Sequence, residues 1–262
     1  MARRAEPEVA IRCIDLSVSR SGRTSGAPRV VEGVTFDLPH GAALSIMGPT
    51  GAGKSSLMAI LAGHHESGLA VVGGSAEVEG INIRRPGRAR RVLTYVTGYL
   101  PQSAGAHLPA RMTVSEVVSE PITSRDRRVN SRALAVRVAS LLDELMLPLG
   151  AATKYPYELS AGMRQRVAFA RALVLQPRVL IGDDPFANMD VEVRKAAMDA
   201  IAHRRHDYGM SALLATNDAD VVRQLDTSVL VMKAGHAVGF GHGTDDVFWT
   251  PGAENESQLL VP

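Results

Sequence analysis

The sequence predicts an α/β protein: a P-loop core built on a mostly parallel sheet, an antiparallel β subdomain, and an inserted α-helical subdomain. Three observations carry that expectation. The apolar run from Ala42 to Met47 stops at a glycine-rich loop that opens directly into a helical pattern. Further along, apolar stretches alternate with helical ones, the arrangement that buries a parallel sheet on both faces. Between these regions, from Thr113 to about Leu147, the pattern is helical throughout. All 262 residues are read as a single domain, with core and β subdomain over about 9–100 and 176–250 and the helical subdomain over about 103–175.

Residues 9–18 (VAIRCIDLSV) and 30–38 (VVEGVTFDL) are β-rich, and the polar Gly- and Ser-containing stretch between them reads as a loop, so the pair forms a sheet edge or hairpin. After the strand at 42–47, Leu57, Ile60 and Leu61 fall at helical spacing. Residues 75–83 (SAEVEGINI) are β-rich again, and the Arg-rich RRPGRARR leads into another strand candidate at 92–100. Within the helical region, Leu134, Val138, Leu141, Leu142 and Leu145 make one apolar face. A helix from about Ser160, a strand at 179–182, a helix at 191–207 and a strand at 211–216 follow. No internal repeat is visible.

A chain of this length is ample for a buried core. Basic residues number 29 and acidic ones 27, a net charge of +2, too small an excess to predict polyanion binding by bulk electrostatics. Most of the positive charge is Arg; Lys occurs only at Lys54, Lys154, Lys195 and Lys233. The single cysteine, Cys13, can form neither an internal disulfide nor a cysteine-based zinc site, which favours a reducing compartment. No apolar h-region follows the first residues, and no window approaches the ~18 apolar residues of a spanning helix. Any membrane role is therefore expected to come through partners.

Gly48-Pro49-Thr50-Gly51-Ala52-Gly53-Lys54-Ser55 matches the P-loop pattern G-x-x-x-x-G-K-[ST] and sits between a strand and a helix, as its chemistry requires. Glycines let successive N–H groups turn inward around phosphate oxygens, and the helix start, where Ser56 follows, adds a favourable dipole. Lys54 would reach the β and γ phosphates, and Ser55 could ligate Mg²⁺. The bland alternative is a glycine-rich turn with no ligand. Gly182-Asp183-Asp184 closes an apolar strand and would supply the matching carboxylate, with Asp183 holding the Mg²⁺ shell; a solvated acidic turn is the alternative.

Tyr157-Glu158-Leu159-Ser160-Ala161-Gly162-Met163-Arg164-Gln165-Arg166 resembles the LSGGQ-type signature of ATP-binding cassette (ABC) proteins, especially the ELSGGMRQR form of peptide and nickel importers. The resemblance runs from about residue 9 to 250. It includes a Q-loop at Tyr99-Leu100-Pro101-Gln102, a Walker B strand at 179–184, a D-loop at Ala187-Asn188-Met189-Asp190 and a switch at Thr216-Asn217-Asp218. Pro109 to Glu116, ending in Glu120-Pro121, is similar to the NPRMTVGE…EPL segment of peptide-type importers. The resemblance implies an ATP and Mg²⁺ site bound by the loop from Gly48 to Ser56. Metal ligands would be Ser55, Gln102 and Asp183, and the hydrolytic positions Asp184, Asn217 and Gln102. It implies a head-to-tail pair of subunits in which Ser160, Ala161 and Gly162 face the other chain's ATP. It also implies two integral-membrane permease subunits, a second ATP-binding subunit, an extracytoplasmic substrate-binding protein, no nucleic acid, and a place on the cytoplasmic face of the membrane. Importers of peptide, opine or metal-chelate type fit best. A rarely hydrolysing regulatory subunit, or a soluble non-transport cassette such as a carbon-phosphorus lyase accessory subunit, are the rivals.

Four positions depart from the family pattern. Asp184 stands where the catalytic Glu is usual and is one methylene shorter; misplacement by about 1 Å can cost ~10²-fold in rate. Asn217 stands where the switch His is usual and has no cationic form. Ala161 replaces the first signature glycine. Arg20 falls where an aromatic residue stacks on adenine; a guanidinium can also stack on a purine, or Arg20 could be a solvated loop residue. Since the P-loop is intact, the expectation is ATP binding with an impaired hydrolytic site of this chain's own, working in a heterodimer. His203 and His206, the Arg84–Arg91 cluster and the ten Met residues read as surface pair, solvated turn and core filler.

Overall fold

A computed structural model of the chain describes residues 9–20, 28–64, 68–126 and 128–250. The first strands, β1 (Ile11–Ser19) and β2 (Arg29–Leu38), pair antiparallel, with Ile11 opposite Leu38. Most of the loop between them, residues 21–27, lies outside the described residues. The core strand β3 (Ala43–Met47) runs into helix α1 (Lys54–Leu61). Next come β4 (Ala70–Val78), β5 (Ile81–Asn82), α2 (Arg90–Val96) and β6 (Thr97–Leu100). The helical stretch comprises α3 (Val114–Thr123), α4 (Ser131–Glu144) and α5 (Ala161–Leu173). The chain then returns through β7 (Val179–Asp183), α6 (Val191–Tyr208), β8 (Ser211–Ala215), α7 (Ala219–Gln224), β9 (Ser228–Lys233), β10 (His236–His242) and β11 (Asp246–Trp249).

Two sheets result: an antiparallel one ordered β2-β1-β4-β5, and a seven-stranded one ordered β11-β10-β9-β3-β8-β7-β6. From β9 to β6 the large sheet is parallel, and its strands point alternate residues into two different cores, as a period of two demands. Leu180, Ala212 and Leu214 join the helical core with Val117, Leu142, Val167 and Phe169. Val179, Ile181, Leu213 and Leu44 join the core shared with α1 and the antiparallel sheet. Both faces are covered, so these strands read as unbroken apolar runs. Helix starts carry the capping chemistry their sequences offer. Thr113 and Glu116 form a capping box; Asn130, Ser160 and Asp190 each accept a backbone N–H with a side-chain oxygen. Among the described residues no helix is long and apolar enough to cross a membrane.

The structure corrects three local expectations. The stretch 92–100 is not one strand: its first half belongs to α2, and only Thr97–Leu100 is extended. Helix lets Leu93 alone turn inward, tight against Gly63, while Val92 and Tyr95 stay exposed, so packing overrides β-branched propensity. The strand expected from residue 75 begins at Ala70, because Gly73 and Gly74 are required by the close approach of β1 rather than breaking the strand. A Cβ at Gly74 would lie 2.1 Å from the Asp15 carbonyl oxygen. Finally, the expectation stops at residue 216, whereas α7 and three further strands complete the large sheet.

Phe169 is fully buried on α5 and meets the Phe186 ring at 6.2 Å. Phe169→Ala should lower unfolding stability by roughly 3–5 kcal/mol in denaturant titrations; a loss below about 1 kcal/mol would show that this ring does not fasten α5 to the core.

Candidate functional site

The loop between β3 and α1 is seated by backbone contact. Gly48 has φ 141° and a Cβ there would stand 2.0 Å from the Met232 carbonyl oxygen; Gly53 has φ 101° and would meet the Val30 carbonyl at 2.3 Å. No side chain fits at either position, and neither conformation suits an L-residue. The loop borders a cleft of about 930 Å³ lined by Thr50, Gly51, Ala52, Gly53, Lys54, Ser55 and Ser56 together with Arg20, Gln102, Asp183, Asp184 and Asn217. Twelve of the residues expected from sequence thus converge. Gly48 and Pro49 form the loop's entrance, and their carbonyls accept from Lys54 Nζ, the Pro49 contact at 3.0 Å. Burial lowers the Lys54 pKa, while Asp183 and Asp184 act to raise it.

Asp183 is buried at the end of β7. Asp184 follows with φ 50°, in the left-handed region, and its N–H donates to the Ala215 carbonyl at 2.9 Å. Desolvation pushes the Asp184 pKa above the usual carboxylate value; Arg194 and Lys54 pull it down and Asp218 pushes it up. Arg194 and Asp218 are themselves an ion pair. Asn217 Oδ1 accepts from the Gly48 N–H at 2.9 Å, tying the switch position to the loop. Arg20 Nη2 donates to Ser56 Oγ at 3.3 Å.

The signature residues do not join this cleft. Ser160 caps α5, accepting from the Met163 N–H at 3.2 Å, and is exposed beside Ala161. A Cβ on Gly162 would lie 2.6 Å from the Asn188 carbonyl oxygen, so the second signature glycine is demanded by the turn after Asp184. Sequence reasoning gave three contributors no role of their own here, although Asp218 and Gln165 stand in the switch and signature motifs. Asp218 and Arg194 shape the charge at Asp184. Gln165, 2% exposed, accepts from the Gly105 N–H and donates to the Pro185 carbonyl, each at 3.1 Å. No sequence signal marks Arg194, whose partner lies 24 residues away.

Chemically, the cleft offers N–H groups and a lysine for phosphate oxygens, and the oxygen donors of Ser55, Gln102 and Asp183 suit a hard dication such as Mg²⁺. Fold and site together define a P-loop nucleotide-binding α/β protein. Residues 31–187 match the ABC transporter family, and the chain belongs to that family as an ATP-binding domain. It is 35% identical over 240 residues to the oligopeptide transport ATP-binding protein OppD of Mycobacterium tuberculosis, covering 91% of this chain but 38% of that protein. To OppF of Escherichia coli it is 30% identical over 226 residues, 85% of this chain and 66% of that one. The chain therefore spans well under half the length of OppD. Its fold is similar, at TM-score 0.79 and 21% identity, to a dimeric post-hydrolysis structure of the ATP-binding cassette MJ0796 bound to ADP and Pi, covering 92% of this chain and 99% of that one.

The raised Asp184 pKa gives a stability test. A carboxyl whose folded pKa exceeds its unfolded one costs stability above the folded value and nothing below the unfolded value of about 3.9. Asp184→Asn should accordingly raise Tm near pH 7, by a margin that narrows as pH falls towards 4. A smaller, pH-independent part is expected because Asn tolerates positive φ better. A margin unchanged by acidification would remove the desolvation argument.

Proposed function

We propose that this chain is the ATP-binding subunit of an ABC importer of peptide, opine or metal-chelate type. The observation that carries the reading is the intact phosphate loop converging with Gln102, Asp183 and Asp184 on one cleft, in a chain related to OppD and OppF. ATP lies along the loop, its phosphates held by the N–H groups of Gly51 to Ser56 and by Lys54. Ser55, Gln102 and Asp183 hold Mg²⁺, which when bound neutralises phosphate charge. Ser160 and Ala161, exposed at the start of α5, together with the N–H of Gly162, serve the ATP of a second ATP-binding subunit. Permease subunits dock near Gln102 and the segment from Met112 to Pro121, placing the chain on the cytoplasmic face of the membrane, with an extracytoplasmic binding protein delivering cargo. A cleft of about 340 Å³ between α2, the end of α3 and α4, lined by Tyr95, Ile122, Val129 and Leu134, supports a contact on that side.

Asp184 and Asn217 both belong to the site on this chain's own loop, whereas Ser160 and Gly162 belong to the opposite one. The second ATP-binding subunit is therefore a different chain carrying the usual Glu and His, and most turnover occurs where that chain's loop meets this chain's signature. A rarely hydrolysing, ATP-gated subunit is the second reading, favoured by the same two substitutions.

Purified protein should bind Mg-ATP, and Lys54→Ala should weaken binding strongly by removing the compact charge on the phosphates. Equal affinities would end the nucleotide reading. In the assembled complex, Asp184→Asn or Asn217→Ala should cost little ATPase activity while disruption of Ser160 and Gly162 costs much, because the latter pair stabilises charge on the transferring phosphate. Near-complete loss from Asp184→Asn, or isolation as an active homodimer, would overturn the unequal sites.

A further inference from the structure

The cleft beside the phosphate loop holds a second cation, and it stands at the phosphate end. Arg20 closes β1, and its guanidinium donates to Ser56 Oγ. Ser56 is 4% exposed and belongs to the first turn of α1, where backbone N–H groups have no acceptor within the helix and point towards anions. Lys54 opens the same turn and reaches back along the loop to the Gly48 and Pro49 carbonyls. A polyphosphate lying along the loop is thus flanked by an ammonium on one side and a guanidinium on the other. The placement of Arg20 is fixed by its main chain: its carbonyl oxygen lies 2.3 Å from where a Cβ on Gly68 would stand. Among the described residues Arg20 has no acidic partner, so its charge is available to a ligand.

The rest of the lining says what the site does not read. Holding a base needs a ring or other surface to stack on, and choosing among bases needs polar side chains set against the base's edge. Among the described residues no aromatic side chain lines the cleft, and Val30 is the largest apolar one. The stretch from Ser17 to Gly33 contains no aromatic residue either. The Arg20 guanidinium is held against Ser56, beside the first turn of α1.

We propose that Arg20 is a second phosphate-binding cation and that the site selects the triphosphate, taking purine and pyrimidine nucleoside triphosphates with little discrimination. This rests on the nucleotide-site reading above. The test is competition of Mg-ATP, Mg-GTP and Mg-CTP against a fluorescent ATP analogue on the whole chain, with Arg20→Ala and Arg20→Lys checked for folding by circular dichroism. The wild type should bind the three within about threefold of one another. Arg20→Ala should weaken all three alike by about tenfold, about 1.4 kcal/mol, and Arg20→Lys should restore most of that loss, because an ammonium replaces the charge but not a planar stacking surface. A preference for ATP over CTP greater than tenfold, a loss in Arg20→Ala confined to ATP, or failure of Arg20→Lys to restore binding would each overturn the proposal while leaving the nucleotide site standing. No binding of any triphosphate would remove both.

Discussion

Two sheets meet at one loop, and that meeting depends on the absence of side chains. Gly48 lies against the Met232 carbonyl of the large sheet and Gly53 against the Val30 carbonyl of the antiparallel sheet. Backbone hydrogen bonds close the junction: Gly235 N–H donates to the Ala52 carbonyl at 3.1 Å, and Glu32 N–H to the Gly235 carbonyl at 2.8 Å. A Cβ at either glycine would combine left-handed strain with a clash against backbone that cannot yield. Because the loop is clamped from both sides, α1 sits between the sheets and is buried from Ser56 to Leu61. The rigidity that lets fixed N–H groups serve as an anion site is the same rigidity that holds the two layers together.

The Gln102 and Asp184 sides of the cleft both lean on α5. Gln165 satisfies a backbone N–H just beyond Gln102 and a backbone carbonyl just beyond Asp184, so one buried carboxamide spans the two walls. Removing it would orphan two buried backbone groups, each costing about 1–3 kcal/mol. Phe169, one turn further on, packs on Phe186 of the same turn, and Gly162, one turn earlier, lies under the Asn188 carbonyl. A helix that begins with the exposed Ser160 therefore also packs on the turn that follows Asp184.

What the sequence disclosed follows the range of the interactions involved. The phosphate loop, the Asp183-Asp184 strand end and the Ser160 cap were legible because consecutive residues carry their chemistry. The parallel core was legible because its strands are short unbroken apolar runs. Gly73-Gly74 misled because a breaker and a close-approach glycine look alike until β1 is seen beside them. Leu93 misled because the neighbour that decides its conformation, Gly63, is thirty positions away. Gln165 and Arg194 stayed hidden for the same reason: each bonds across the fold to a group that no local spacing announces. Arg20 was found, but its contact was not: Ser56 lies 36 residues away along the chain.

The balance of charge in the cleft explains why such a loop is not sufficient alone. Among the described residues its lining contains two cations, Arg20 and Lys54, against three carboxylates, Asp183, Asp184 and Asp218. A polyphosphate entering that field meets as much repulsion as attraction unless the carboxylates are engaged elsewhere. Asp218 is engaged by Arg194, which lightens the negative side. Asp183 is buried at the end of β7 and lines the same cleft as Ser55, Gln102 and Lys54, whose charge it faces. Among the described residues Arg20 and Lys54 are the cations on this wall, and both stand at the first turn of α1, where their charges add to the backbone dipoles.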